Sequence, residues 1–238
     1  MEPEHGAFQS TLWSVIVRAQ SGSDSERRAA LEKLCRTYWP PLYAYVLKKG
    51  FPREDAQDAI QGFFAYFLEH GMIDRADAGR GRFRSYLRAV LDRHLANKRR
   101  TDGAEKRGGG AVPLSLDFET AERTVRIDPS SPETPEAAYD RAWRIAVLDQ
   151  AILALKREYE KGGAVDRFSA VCAHLSAAGK RPSYEDLARK LGCPASDVNN
   201  LIHRARLRLG ALIREKLRET VETESEVEEE MRDLFRIA

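Results

Sequence analysis

The sequence predicts an all-α protein of two helical domains joined by a flexible linker, and three observations carry that prediction. Apolar residues recur at i, i+3, i+4 and i+7 through most of the chain, and the strict alternation of a half-buried strand is nearly absent. Charged residues make up 32% of the 238 positions, above the usual figure of about 25%, which suits small helical domains with much surface. A stretch punctuated by Gly and Pro separates two runs of helical periodicity. The expected division is an N-terminal extension at 1–24, a first helical domain at 25–105, a linker at 106–137, a second helical domain at 138–215 and an acidic tail at 216–238.

Phe8, Leu12, Val15 and Ile16 form a short helical stripe that the polar segment 21–24 ends. Over 25–49, Leu31, Leu34, Cys35, Tyr38, Leu42, Tyr45 and Val46 keep a helical period. Pro40 and Pro41 inside it predict a kink or break, because proline lacks the amide donor a helix interior needs. Gly50-Phe51-Pro52 interrupts the chain and a helix over about 52–69 follows. Ala56, Ala59, Ile60, Phe63 and Phe67 make its core face, whereas Asp55, Asp58, Gln61 and Gly62 run along another. After a loop at 70–82 with Gly71, Gly79 and Gly81, residues Phe83, Tyr86, Leu87, Val90, Leu91 and Leu95 define a basic helix that runs to about Arg100.

Residues 101–137 carry Gly103, Gly108, Gly109, Gly110, Pro113, Pro129, Pro132 and Pro135, and few apolar pairs, so little stable structure is expected there. Helical periodicity resumes near Pro135 and continues through Lys156, Gly162-Gly163 interrupts it, and a helix over 164–177 follows. Tyr184, Leu187, Ala188 and Leu191 then form the stripe of a short helix. Ser183 with Asp186 is a capping-box signal at its start, and Gly192 can take the positive φ that ends it. Pro194 suits the first turn of a second helix. That helix buries Val198, Leu201, Ile202 and Ala205 and leaves Ser196, Asp197, Asn199, Asn200, His203, Arg204 and Arg206 for solvent or a ligand. Two helices joined by so short a turn make a helix–turn–helix, whose second helix can lie in a DNA major groove. At the C-terminus Val227, Met231, Leu234 and Phe235 share one face of a charged helix.

The net charge of +2 does not announce a nucleic-acid binder, but its distribution is uneven. Between Arg75 and Arg107 the chain holds an excess of about seven positive charges. Near the C-terminus Glu222, Glu224, Glu226, Glu228, Glu229 and Glu230 invert the sign. This acidic run reads either as a solvated surface or as a segment that folds over the basic helix in the manner of a DNA mimic.

Cys35, Cys172 and Cys193 are scattered, without the spacing of a disulfide framework or a metal site. Asp55 and Asp58 lie one turn apart, with no His or third carboxylate placed to join them, and the glycines at 108–110 follow no strand that would make them a phosphate cradle. The chain is therefore expected to be no enzyme and to need no cofactor or metal. The N-terminus lacks a basic start followed by an apolar run, and no segment approaches the roughly 20 apolar residues that span a bilayer, so a cytoplasmic protein without membrane contact is expected.

The order of helical domain, basic helix, linker and helix–turn–helix resembles the two-domain sigma factors of bacterial RNA polymerase, the extracytoplasmic-function group of the sigma-70 family. Pro52-Arg-Glu-Asp-Ala-Gln-Asp-Ala-Ile-Gln-Gly-Phe-Phe64 resembles the acidic motif of sigma region 2. The helix from Phe83 to Arg100 resembles the promoter-melting helix that follows it, and the helix–turn–helix with Arg204-Ala205-Arg206 resembles sigma region 4. Arg107-Gly108-Gly109-Gly110 and Leu114-Ser115-Leu116-Asp117 resemble segments of groups abundant in planctomycetes.

The resemblance implies partners and site residues. Core RNA polymerase would be met through its β′ coiled coil, by Asp55, Gln57, Asp58, Gln61 and Phe64, and through its β flap. Gln57 and Gly62 stand where the family usually has Glu, which implies weaker docking. Promoter DNA would be melted and its minus-ten element held by Arg80, Arg82, Phe83, Arg84, Tyr86, Arg88, Arg93, Asn97, Lys98, Arg99 and Arg100, with the 75–84 segment as the pocket for an extruded base. Of the two aromatic residues, Phe83 suits the core better than Tyr86. Minus-thirty-five contacts fall to Ser196, Asp197, Asn199, Asn200, His203, Arg204, Arg206 and Arg208. Control by an anti-sigma factor or a Ser/Thr kinase is open. The rival is a helix–turn–helix regulator that binds DNA without joining polymerase, which leaves the 55–64 face and the 83–100 helix unexplained.

Overall fold

The computed structural model describes residues 23–76, 82–101, 116, 118, 122, 125, 128, 131–175, 181–218, 221 and 223–235, and within these the side chains other than those of 24–34 and 98–101. Among the described residues there are eight α-helices and no strand. The helices are α1 Asp24–Lys48, α2 Arg53–Glu69, α3 Phe83–Thr101, α4 Pro135–Lys161, α5 Val165–Leu175, α6 Tyr184–Leu191, α7 Ala195–Arg218 and α8 Glu224–Phe235, with a 3₁₀ turn at Met72–Arg75. The expected helix at 7–20 lies outside the described residues.

The chain divides into two compact units, Met1–Ala146 with Leu217–Ala238, and Val147–Lys216. Both boundaries fall inside helices, α4 and α7. Residues 138–146, expected in the second domain, belong to the first unit, and the C-terminal tail belongs to it as well.

In the first unit α1 is the central element. Tyr38, Leu42, Tyr43, Ala44 and Val46 are fully buried and Trp39, Tyr45 and Leu47 nearly so, and a helix apolar on every side must be surrounded by other elements. Pro40 and Pro41 do not break it: α1 runs unbroken from Asp24 to Lys48. Burial of the residues on both sides of the prolines outweighs the loss of two amide donors, so tertiary packing overrides the local preference. α2 opens at Pro52, with Glu54 and Asp55 in its first turn where the helix dipole favours negative charge. Its buried face is Ala56, Ala59, Ile60, Phe63, Phe64 and Phe67. α3 adds Phe83, Leu87, Val90, Leu91 and Leu95, and α4 adds Ala138, Tyr139, Ala142 and Trp143. Cross-element bonds fix these helices. The Tyr45 hydroxyl donates to Asp92 at 3.0 Å, Tyr86 to the Met72 carbonyl at 2.6 Å, and Tyr139 to the Arg84 carbonyl at 3.0 Å.

The linker is less empty than its composition suggests. Phe118, Glu122 and Val125 are helical and pack on the first unit. Phe118 meets Trp39 and Tyr43 edge-on at 5.0 Å, the Tyr43 hydroxyl donates to Glu122 at 2.6 Å, and Val125 is buried with Ala44 and Ala142. These three positions are spaced i, i+4 and i+7, a helical face that the surrounding glycines and prolines hid. The second unit holds a separate core of Ala170, Val171, Leu187, Val198, Leu201, Ile202 and Ala205. No helix among the described residues is long and apolar enough to cross a membrane.

Candidate nucleic-acid interface

The helix–turn–helix is built as its sequence predicts. The Ser183 hydroxyl accepts from the Asp186 amide at 3.1 Å, and the Asp186 carboxylate accepts from the Ser183 amide in return. Gly192 ends α6 at φ 63° in the left-handed region, where a side chain is strained. α7 turns Val198, Leu201, Ile202 and Ala205 inward, so Ser196, Asp197, Asn199, Asn200, His203, Arg204 and Arg206 all lie exposed. Together they form one continuous polar surface at the start of a helix. Asp197, Asn200 and Arg204 line a shallow cavity of about 140 Å³ with Cys193 and with Arg167 of α5. Arg167 was not a predicted contact, because nothing local in α5 marks it.

Arg208 is exposed as well, and its guanidinium pairs with Glu158 at 2.6 Å and with Glu215 at 3.1 Å. The same bond holds the Glu158 carboxyl below the usual carboxylate range and raises Arg208.

In the first unit Asp55 and Asp58 are exposed on α2, and Gln57 and Gln61 are half-buried beside them. Phe64 is 2% exposed and packs edge-on against Phe63 at 5.3 Å, a core position rather than part of the exposed face. Gln57 is drawn into the core boundary, since it bonds the Tyr43 hydroxyl that also donates to Glu122. Burial, reinforced by that bond to Glu122, pushes Tyr43 up to about 12. Arg53 pairs with Glu122 at 3.3 Å, so the linker residue closes over the start of α2.

The residues predicted to meet DNA at 80–100 differ in their surroundings. Arg93 and Asn97 are exposed one turn apart, as a nucleic-acid face requires. Phe83 is 1% exposed and Tyr86 is half-buried with its hydroxyl committed, so neither aromatic ring stands out for stacking. Phe83 lies edge-on to Tyr38 at 5.4 Å, a core contact. Arg88 lies over the Tyr139 ring at 5.9 Å. The segment 77–81 with Arg80, and the side chains of Lys98, Arg99 and Arg100, lie outside the described residues.

Arg82 and Arg84 are engaged by the C-terminal helix. Glu230 Oε1 accepts from Arg82 at 2.9 Å and from Arg84 at 3.1 Å, and Arg82 also reaches Glu229 at 3.1 Å. The Arg84 guanidinium lies over the Trp143 ring at 4.4 Å. Glu230 is 1% exposed, and burial pushes its carboxyl up against the pull of Arg84 and Arg82. Such a partner was not identified residue by residue in the sequence. The Thr223-x-x-Glu226 capping box that starts α8 was the available local signal. Among the described residues no group of three or more His, Cys, Asp or Glu side chains could hold a metal ion.

No protein-family model matches the chain, and no solved structure matches it. The chain is 24% identical over 184 residues to RNA polymerase sigma factor YlaC of Bacillus subtilis (strain 168), covering 77% of this chain and 92% of that protein. The region of likeness is long enough to take in most of both units rather than the helix–turn–helix alone. It supports reading the chain as a sigma factor of the sigma-70 family.

Proposed function

We propose that this protein is a sigma factor of the extracytoplasmic-function group that binds core RNA polymerase, recognises promoter minus-ten and minus-thirty-five elements and initiates transcription. The observation that carries the reading is the likeness to a sigma factor across 77% of the chain, joined to an exposed polar surface on α7 and a basic α3. In this reading Asp55, Asp58 and Gln61, with Gln57 beside them, accept from basic groups of the polymerase β′ coiled coil. Arg93 and Asn97 face promoter DNA from α3. Arg charges there release counterions from phosphates, which contributes affinity without sequence choice.

On α7, Asn199 and Asn200 suit adenine and Asp197 suits the exocyclic amine of cytosine, while Arg204 and Arg206 meet the backbone. The segments at 107–110 and 114–117 are what supports a reading of the chain as akin to the planctomycete groups, and control by an anti-sigma factor or a Ser/Thr kinase stays open. The protein itself performs no catalysis. Run-off transcription with purified core polymerase and the DNA upstream of its own gene tests the reading. A discrete transcript that depends on this chain is expected. Binding to that DNA with no capture of core polymerase and no transcript would establish the rival regulator instead.

A further inference from the structure

The start of α3 and the whole of α8 belong to the first unit, and they meet at a charge cluster to which the proposed function gives no task. Arg82 and Arg84 converge on a single oxygen of Glu230, at 2.9 and 3.1 Å. Arg82 also faces Glu229 at 3.1 Å and Asp233 at 3.8 Å. The other oxygen, Glu230 Oε2, is buried with no hydrogen-bond partner among the described residues. A buried carboxylate satisfied on one side recovers little of its desolvation cost. The contact is therefore poorly explained as a device for stability, particularly since Val227 and Leu234 already dock α8 by their own burial.

Taking α8 away leaves two guanidiniums side by side, one of them supported by the Trp143 ring at 4.4 Å. Planar guanidiniums in that arrangement suit a phosphate as well as a carboxylate. α8 carries six acidic residues against one basic residue. It is also capped by its own Thr223–Glu226 pair, with the Thr223 amide donating to Glu226 at 3.0 Å, so its start as a helix does not depend on the arginines.

We propose that α8 is an intramolecular competitor of nucleic acid: Glu230, flanked by Glu229 and Asp233, occupies an anion site of Arg82 and Arg84 that a phosphodiester takes when α8 moves off. The inference rests on the reading of α3 as a nucleic-acid helix. It makes the free protein a poor DNA binder and leaves the arginines to be uncovered when a stronger polyanion competes.

The test compares two full-length variants with the same change in net charge, Glu230→Lys and Glu228→Lys. Glu230 faces the arginines, whereas Glu228 is exposed on the outer side of α8. Affinity for a labelled single-stranded DNA of random sequence is read by fluorescence anisotropy at low salt. If the uncovered form is about one tenth of the population in the covered protein, Glu230→Lys should bind about tenfold tighter than Glu228→Lys. Equal affinities would overturn the proposal. Should Glu230→Lys lack a native helical spectrum, amide hydrogen exchange of the unaltered protein decides. Faster exchange over 227–234 on adding saturating DNA supports the competitor, and unchanged exchange overturns it. Run-off transcription by the unaltered chain reads the underlying function separately. A transcript without tighter binding by Glu230→Lys overturns the competitor alone, and tighter binding by Glu230→Lys with no transcript supports the competitor while overturning the sigma-factor reading.

Discussion

Two arginines two positions apart on α7 differ in what surrounds them. Both are exposed, but Arg208 is paired with Glu158 and Glu215. An exposed guanidinium on a DNA-facing helix displaces counterions, but one already neutralised by two carboxylates has little left to displace. Arg206→Ala should therefore lower the slope of log affinity against log salt by about one for minus-thirty-five DNA, while Arg208→Ala leaves it nearly unchanged. Titration of binding at several salt concentrations reads both, and an equal effect of the two substitutions contradicts the assignment. Glu158 gives the matching pH prediction. Its carboxyl is held below the ordinary carboxylate range by the Arg208 hydrogen bond. A depressed folded value means that the pair stabilises above the ordinary value, and that this contribution is lost as pH falls through the depressed one. The pair is substantially exposed, so the effect is small. Glu158→Gln should flatten that part of the acid limb in thermal melts of the protein, and an identical acid limb counts against it.

Elements held by neighbours in sequence were legible, and elements held by distant partners were not. The α6–turn–α7 unit declares itself because its capping pair lies three residues apart and its turn needs one left-handed glycine at φ 63°. The linker segment and the docking of α8 depend on bonds such as Tyr43 to Glu122 and Arg82 to Glu229, which span 79 and 147 positions. No local pattern encodes those pairs, and glycine and proline nearby argue against order. α1 shows the opposite error, since its two prolines signal a break that complete burial of Tyr38, Leu42 and Tyr43 overrides. For the site, exposure of the α7 residues followed directly from the apolar stripe, while the burial of Phe64 and the capture of Arg208 depended on what packs against them. The linker segment yields its own prediction. Glu122→Ala removes the partner of both Tyr43 and Arg53, so limited proteolysis should cut near 118–125 several-fold faster than in the unaltered protein. An unchanged cleavage rate would mean that Phe118 and Val125 alone hold the segment.

At the scale of the whole molecule, two separate cores predict unfolding that is not a single step. Trp39 and Trp143 are buried in the first unit, so their fluorescence follows that unit, whereas helical circular dichroism follows both. Ile202 is fully buried in the second core. Ile202→Ala should destabilise that core by about 2–5 kcal/mol, moving part of the dichroism transition to lower urea while the fluorescence midpoint stays in place. A common shift of both signals would mean that the two cores unfold as one. The first unit is also discontinuous in sequence, since Leu217–Ala238 completes what Met1–Ala146 begins. Domains form in the order in which the ribosome releases them, and here the last segment released belongs to the unit begun first. A nascent chain halted before Glu230 therefore carries every residue of the Val147–Lys216 unit, yet holds Arg82 and Arg84 without the carboxylate that joins them.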